Sequence, residues 1–251
     1  AGKDHAAQIY FQIADVGTTR AGGGQDIGSD GPLRSRATME LLTAVCKLKA
    51  HNQLRTVEQL GYSVHNGQYT HDEVLGWYLR IQSPSADPPY LEERMLKFLD
   101  GLGKYLIELT DAQLEDFRST VKARLLEPPK TLQSLFVSRW AQITRSMRHF
   151  SINAELAAMI DQISQDDLIQ MWRHNICPSG MYTRRLVIHL WANGKSETDN
   201  SAPPAEHAET YGNGYSGGLG ERVIEPVDIS NVMELKSLCW HFYPFKCCVK
   251  L

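Results

Sequence analysis

The spacing of hydrophobic positions along this chain changes period several times, and each change predicts an element. Ile9, Phe11 and Ile13 alternate with Tyr10 and Gln12, the period of two that lays one apolar strand face on a core. Thr18 to Arg36, rich in Gly and Ser, has no period and is expected to be a flexible, insert-like loop. From Ser35, a residue suited to capping, Met39, Leu42, Val45 and Leu48 recur at helical spacing. Leu60 to His65 then reads as a short strand, Asn66-Gly67 as a hairpin turn, and Val74 to Ser83 as the return strand.

Prolines at 84, 88 and 89 open a helix over Tyr90 to Ile107, with Leu91, Met95, Phe98 and Leu102 on one face. Thr110 and Gln113 have the spacing of a capping box, and the helix they open is expected to end at Pro128-Pro129. Leu132, Leu135, Phe136, Trp140, Ile143 and Met147 form a wide apolar stripe, expected to be core. Further helices are predicted near Ala154 to Ile163 and after Ser164, which with Asp167 repeats the capping pattern. Arg184 to Ala192 alternates as a strand, with His189 expected as a structural imidazole rather than a ligand. Together these elements predict an α+β domain over 1–192, a mostly antiparallel sheet packed against a layer of helices. Residues 193–222 read as a Gly/Ser/Pro-rich linker, and 223–251 as a tail whose MELKSLCWHFYPF run is expected to dock back on the domain.

One stretch carries most of the chemical interest. LRTVEQLGY, Leu54 to Tyr62, joins the end of a helix to the start of a strand and gathers a cation, an acid, an amide and a phenol there. Arg55 near a helix carboxy terminus gains on the order of 0.3 to 1 kcal/mol from the macrodipole. Gly61 permits a turn or a close backbone approach, and Tyr62 brings an amphipathic ring. On these residues alone, a capped helix and a packed strand account for the pattern better than a binding site does.

LRTVEQLGY resembles the LRTxEQLGY segment of the carboxy-terminal half of insulinase and pitrilysin type zinc metallopeptidases, and is most similar to the insulin-degrading enzyme branch. YFQIADVG, LRIQSPSADPPYLEERMLKFL, RLLEPPKTL and NVMELK extend the likeness over nearly the whole chain apart from 18–36 and 193–222. The resemblance implies a LuxS/MPP-like metallopeptidase domain without catalytic residues. Its substrate-binding residues would be Arg55 and Tyr62, lining a peptide chamber opposite zinc held by the amino-terminal half. Peptide substrates, that catalytic half and a possible homodimer are the partners it implies. Glu58 and Gln59 are expected to hold the turn rather than touch substrate.

Composition narrows the alternatives. A net charge of -3 over 251 residues leaves no electrostatic footprint for nucleic acid, and no apolar run approaches the roughly 20 residues of a membrane span. Cys46, Cys177, Cys239, Cys247 and Cys248 have no CxxC spacing, so reduced thiols and a cytoplasmic location are expected. None of the nine histidines begins or ends an HxxEH or HExxH, and His71-Asp72-Glu73 lacks a second imidazole at i+4. Zinc is therefore expected outside this chain, and the chain alone is expected to be inactive. A non-catalytic paralogue or truncated product serving peptide binding or dimerisation is the alternative. A core subunit of a mitochondrial processing or respiratory complex is a more distant one.

Overall fold

The computed structural model describes residues 4–15, 31–71, 74–144, 150–180 and 183–192. These all belong to the first of two compact units, Ala1–Ala205. The linker and docking tail expected over 193–251 lie outside the described residues, as do 18–30 of the expected insert-like loop.

Strand β1, His5–Asp15, leads to helix α1, Gly31–Ala50, which runs without a break into a π-helical turn, His51–Val57. Strands β2, Ser63–His71, and β3, Val74–Ser83, follow as a hairpin. Helices α2 (Pro88–Glu108), α3 (Asp111–Leu126), α4 (Leu132–Thr144), α5 (Ile152–Ile160) and α6 (Gln165–Met171) come next. A second π-helical turn, Trp172–Ile176, precedes strand β4, Arg184–Leu190. The sheet order is β2-β3-β1-β4 with every pair antiparallel. The expected α+β architecture is therefore the one observed.

Period two does the sorting within the sheet. Ala7, Ile9 and Phe11 of β1 and Leu75, Trp77, Leu79 and Ile81 of β3 are all buried against the helices, while the intervening residues face the other way. On the helical side Met39, Leu42 and Val45 of α1 and Leu91, Met95 and Leu102 of α2 close the core. Each such side chain contributes about 1.5–3 kcal/mol by leaving water. The capping boxes at Thr110 and Ser164 form as expected, each satisfying two amide donors at its helix start. His189, for which the sequence supports no functional claim, pairs with Glu92 at 2.8 Å.

Four expectations need correction. Helix α1 begins at Gly31, so the loop expected to reach Arg36 ends earlier and Ser35 lies inside the helix rather than capping it. Pro32, whose ring presets a helical φ, and Arg34, bonded to Asp167 at 2.7 Å, secure that earlier start. Leu48, assigned to the apolar face, is 61% exposed. The hairpin turn is not Asn66-Gly67: β2 runs through both, and His71 pairs with Val74. Asn66 is instead tied to α1, its Nδ2 donating to the Thr43 carbonyl at 3.0 Å.

The fourth correction is the largest. The stripe on α4 is not core, with Leu132, Leu135, Phe136, Trp140 and Ile143 all exposed. Met147, the last of that stripe, lies outside the described residues. An apolar period identifies the face that gains from burial but not a partner, and no described element covers this one.

Candidate functional site

The LRTVEQLGY corner is built by an abrupt change of backbone hydrogen bonding. In the π-helical turn the Glu58 amide donates to the Gln53 carbonyl at 2.9 Å, and the Leu60 amide reaches back to the Leu54 carbonyl at 3.0 Å. Leu54 is fully buried and anchors the turn, while Leu60 re-enters the core on the far side. Between them Gln59 has φ 51°, a left-handed conformation that costs a residue with a Cβ about 1–2 kcal/mol.

Tertiary contacts hold that strained bend. Glu58 accepts from Gln53 Nε2 at 3.0 Å through one carboxylate oxygen and from Arg94 Nε at 2.8 Å through the other, which fastens the corner to α2. Both partners of the ion pair are largely buried, and the hydrogen bond to Glu58 raises the Arg94 guanidinium above its ordinary pKa despite its burial. A charge-assisted bond of this kind contributes about 1.5–3 kcal/mol. Gly61 lies so close to β3 that an added Cβ would sit 2.1 Å from the Gln82 carbonyl oxygen. Glu58 thus holds the turn through hydrogen bonds, whereas Gln59, expected to do the same, acts on it through its left-handed backbone. Gly61 makes the close approach that the sequence allowed.

The two sequence-predicted binding residues both point outward. Arg55 is exposed in the last turn of the π-helix, with Nη1 3.0 Å from His51 Nε2. A guanidinium only donates, so that nitrogen accepts and the His51 proton resides on Nδ1. Tyr62 is 54% exposed, and its hydroxyl donates to Asp4 Oδ2 at 2.6 Å. That hydrogen bond, with desolvation and the carboxylate charge behind it, raises the phenol above its ordinary pKa. The same Asp4 oxygen accepts from Gln82 Nε2 at 3.0 Å.

Arg55 and Tyr62 therefore stand on one corner without bonding to each other. Both project from a pinned turn toward solvent, where an extended chain can reach a cationic fork and a phenol. Sequence reasoning missed Asp4, Gln82 and Arg94. None belongs to the motif, and Asp4 and Arg94 lie 58 and 36 positions from the residues they hold.

Among the described residues no group of three or more His, Cys, Asp or Glu side chains could hold a metal ion. The residues around the corner do not fit zinc either: the Asp4 and Glu58 carboxylates are occupied by hydrogen-bond donors, and His51 Nε2 faces a guanidinium. A depression of about 210 Å³ lies beside α2, lined in part by Lys49, Gln53 and Tyr105. Arg55 and Tyr62 are not among its lining residues.

Residues 41–140, which include the corner, match the family described as PQQ synthase PqqF-like, C-terminal lobe domain 4. The chain is 32% identical to the "Nardilysin-like" protein of Arabidopsis thaliana over 158 residues, covering 63% of this chain and 15% of that protein. It is 25% identical to the insulin-degrading enzyme of Homo sapiens over 154 residues, covering 61% of this chain and 15% of the enzyme. The chain thus spans less than a quarter of the length of these curated relatives. In fold it resembles the crystal structure of pitrilysin, with a TM-score of 0.63 and 19% identity over 80% of this chain and 20% of that one. It also resembles a peptidase M16 inactive domain from Pseudomonas fluorescens, with a TM-score of 0.50 and 10% identity over 75% of this chain and 40% of that one.

Proposed function

We propose that this chain, which belongs to the insulinase family of metallopeptidases as a carboxy-terminal domain, grips peptide substrates through Arg55 and Tyr62 for a zinc-dependent hydrolysis carried out elsewhere in a longer enzyme. The supporting observation is the corner itself. Leu54, Leu60, Glu58 and Gly61 are buried or pinned, while the two residues with useful hydrogen-bonding groups are left at the surface.

In that role Arg55 offers its remaining donors to a backbone carbonyl of the bound peptide, one of its five N–H groups being engaged by His51. Tyr62 has a single proton, held by Asp4, so its hydroxyl oxygen first accepts from a peptide amide. It donates toward a carbonyl only when it turns away from Asp4. Zinc, held outside this chain, would supply the activated water.

The test uses the purified 251-residue chain, a quenched fluorescent peptide, zinc and a chelator control. Measurable peptide binding without chelator-sensitive turnover is expected. Arg55→Ala and Tyr62→Phe should each weaken binding about tenfold, the loss of one charge-assisted or well-placed hydrogen bond. Unchanged binding in both variants removes these residues from the site. Chelator-sensitive turnover overturns the division of labour.

A further inference from the structure

The sheet has a second face. On it β3 presents Gly76, Tyr78, Arg80 and Gln82, the residues that alternate with its buried ones, and β2 presents their register partners Tyr69, Gly67, His65 and Ser63. Two glycines shape this surface. A Cβ at Gly67 would come within 2.9 Å of the Tyr78 ring, and one at Gly76 within 2.1 Å of the Tyr10 hydroxyl. Each glycine is a notch across which a tyrosine from the neighbouring strand lies flat. The Tyr69 ring then stacks on Tyr78 with centroids 4.8 Å apart and planes at 22°, and remains 49% exposed.

Tyrosines laid over strand glycines stabilise a sheet by themselves. They do not account for Arg80. Its guanidinium carbon stands 6.0 Å from the Tyr78 ring centre, and among the described residues it has no hydrogen bond and no ion pair. His65 faces it directly across the hairpin, also exposed. No acidic residue occupies the paired positions of this face from Ala6 to Gln12, Ser63 to Tyr69, Gly76 to Gln82 or Arg184 to Leu190. Asp4, at the end of the face, already accepts from Tyr62 and Gln82. That shared oxygen also makes the face continuous with the candidate site, since Gln82 is two residues, about 7 Å, along the same side of β3 from Arg80.

We propose that Arg80, seated on the Tyr78–Tyr69 stack, is a specificity-determining residue that binds a carboxylate side chain of the peptide held at the Arg55 and Tyr62 corner. A guanidinium held against an aromatic face keeps its in-plane donors free, and two of them match the two oxygens of a carboxylate. Tyr69 offers an exposed ring edge beside it, suited to an aromatic neighbour of the acidic residue. The inference rests on the peptide-binding reading above.

The experiment measures binding of two short fluorescein-labelled peptides to the full chain, identical except that one carries Tyr-Glu and the other Tyr-Gln. The unmodified protein is expected to bind the Tyr-Glu peptide about tenfold more tightly, an advantage that shrinks with salt. Arg80→Gln abolishes the advantage and leaves Tyr-Gln binding in place, whereas Arg55→Ala weakens both peptides alike. Arg80 is exposed, so this substitution leaves the core intact, and an unchanged melting temperature checks that. Equal affinity for the two peptides, or a preference that survives Arg80→Gln, overturns the role of Arg80 while the peptide-binding function stands. Failure to bind either peptide overturns both.

Discussion

The phenol of Tyr62 and the carboxylate of Asp4 form the most consequential single contact at the corner. It determines which way the hydroxyl proton points, and it raises the phenol pKa above 10.0. Removing the carboxylate should reverse that shift. Asp4→Ala is expected to move the Tyr62 titration to lower pH, toward the ordinary value near 10. Ultraviolet difference titration reads it, with the step missing in Tyr62→Phe identifying the residue among the ten tyrosines. A Tyr62 step that stays in place would mean that Asp4 does not hold the hydroxyl in solution. Gln59 and Gly61 illustrate what a sequence leaves open at this scale. The glycine advertises a close approach, but nothing about a glutamine announces a left-handed backbone, which is imposed by Glu58 and Leu60 on either side being held elsewhere.

At the scale of elements, α4 separates pattern from packing. Its residues have the same apolar spacing as the buried faces of α1 and α2, yet Leu132 is 82% and Phe136 61% exposed. Leu132→Ala and Phe136→Ala should therefore each cost no more than about 0.5 kcal/mol in the isolated chain. Leu79→Ala, in the fully buried row of β3, should cost about 2–5 kcal/mol. Urea titration of the three variants checks this, and a cost above about 2 kcal/mol for Phe136→Ala would show that α4 is covered in solution. The hairpin yields a related lesson. Asn66-Gly67 is a favourable turn pair, but β2 continues through it because Asn66 bonds to α1 and Gly67 makes room for Tyr78. Register is decided by those cross-element contacts rather than by the dipeptide.

Across the whole domain, Asp167 ties the end of the helical layer to its beginning. It completes the α6 capping box and bonds Arg34 of α1, 133 positions away. Burial alone would raise its pKa, but hydrogen bonds from the Ser164 amide and hydroxyl and from Arg34 outweigh that and lower it. A carboxylate whose folded pKa is depressed stabilises the fold above its unfolded pKa, and that stability is lost as pH falls through the folded value. The melting temperature of Asp167→Asn should accordingly lie below that of the unmodified protein at neutral pH. The gap should narrow as pH drops below the ordinary value of 3.8. Calorimetric melts across the acid range measure it, and a gap independent of pH would count against the linkage.

What the sequence determined by itself is what short-range chemistry can encode. Alternation in β1 and β3, helical spacing in α1 and α2, and the two capping boxes each depend on residues a few positions apart, where backbone geometry fixes who meets whom. The α+β class followed from their order, and Arg55 and Tyr62 could be proposed as binding residues because the motif that carries them is continuous. Tertiary structure alone decided the rest. It chose which apolar faces found cover, leaving the stripe on α4 exposed among the described residues, and it carried β2 through its apparent turn. It also brought Asp4, Gln82 and Arg94 to the corner from distant segments, and left Arg80, over a tyrosine stack, without a hydrogen bond or ion pair among the described residues. The physical reason is common to all of these. Burial and ion pairing depend on distances between residues far apart in the chain, and local periodicity carries no information about those distances.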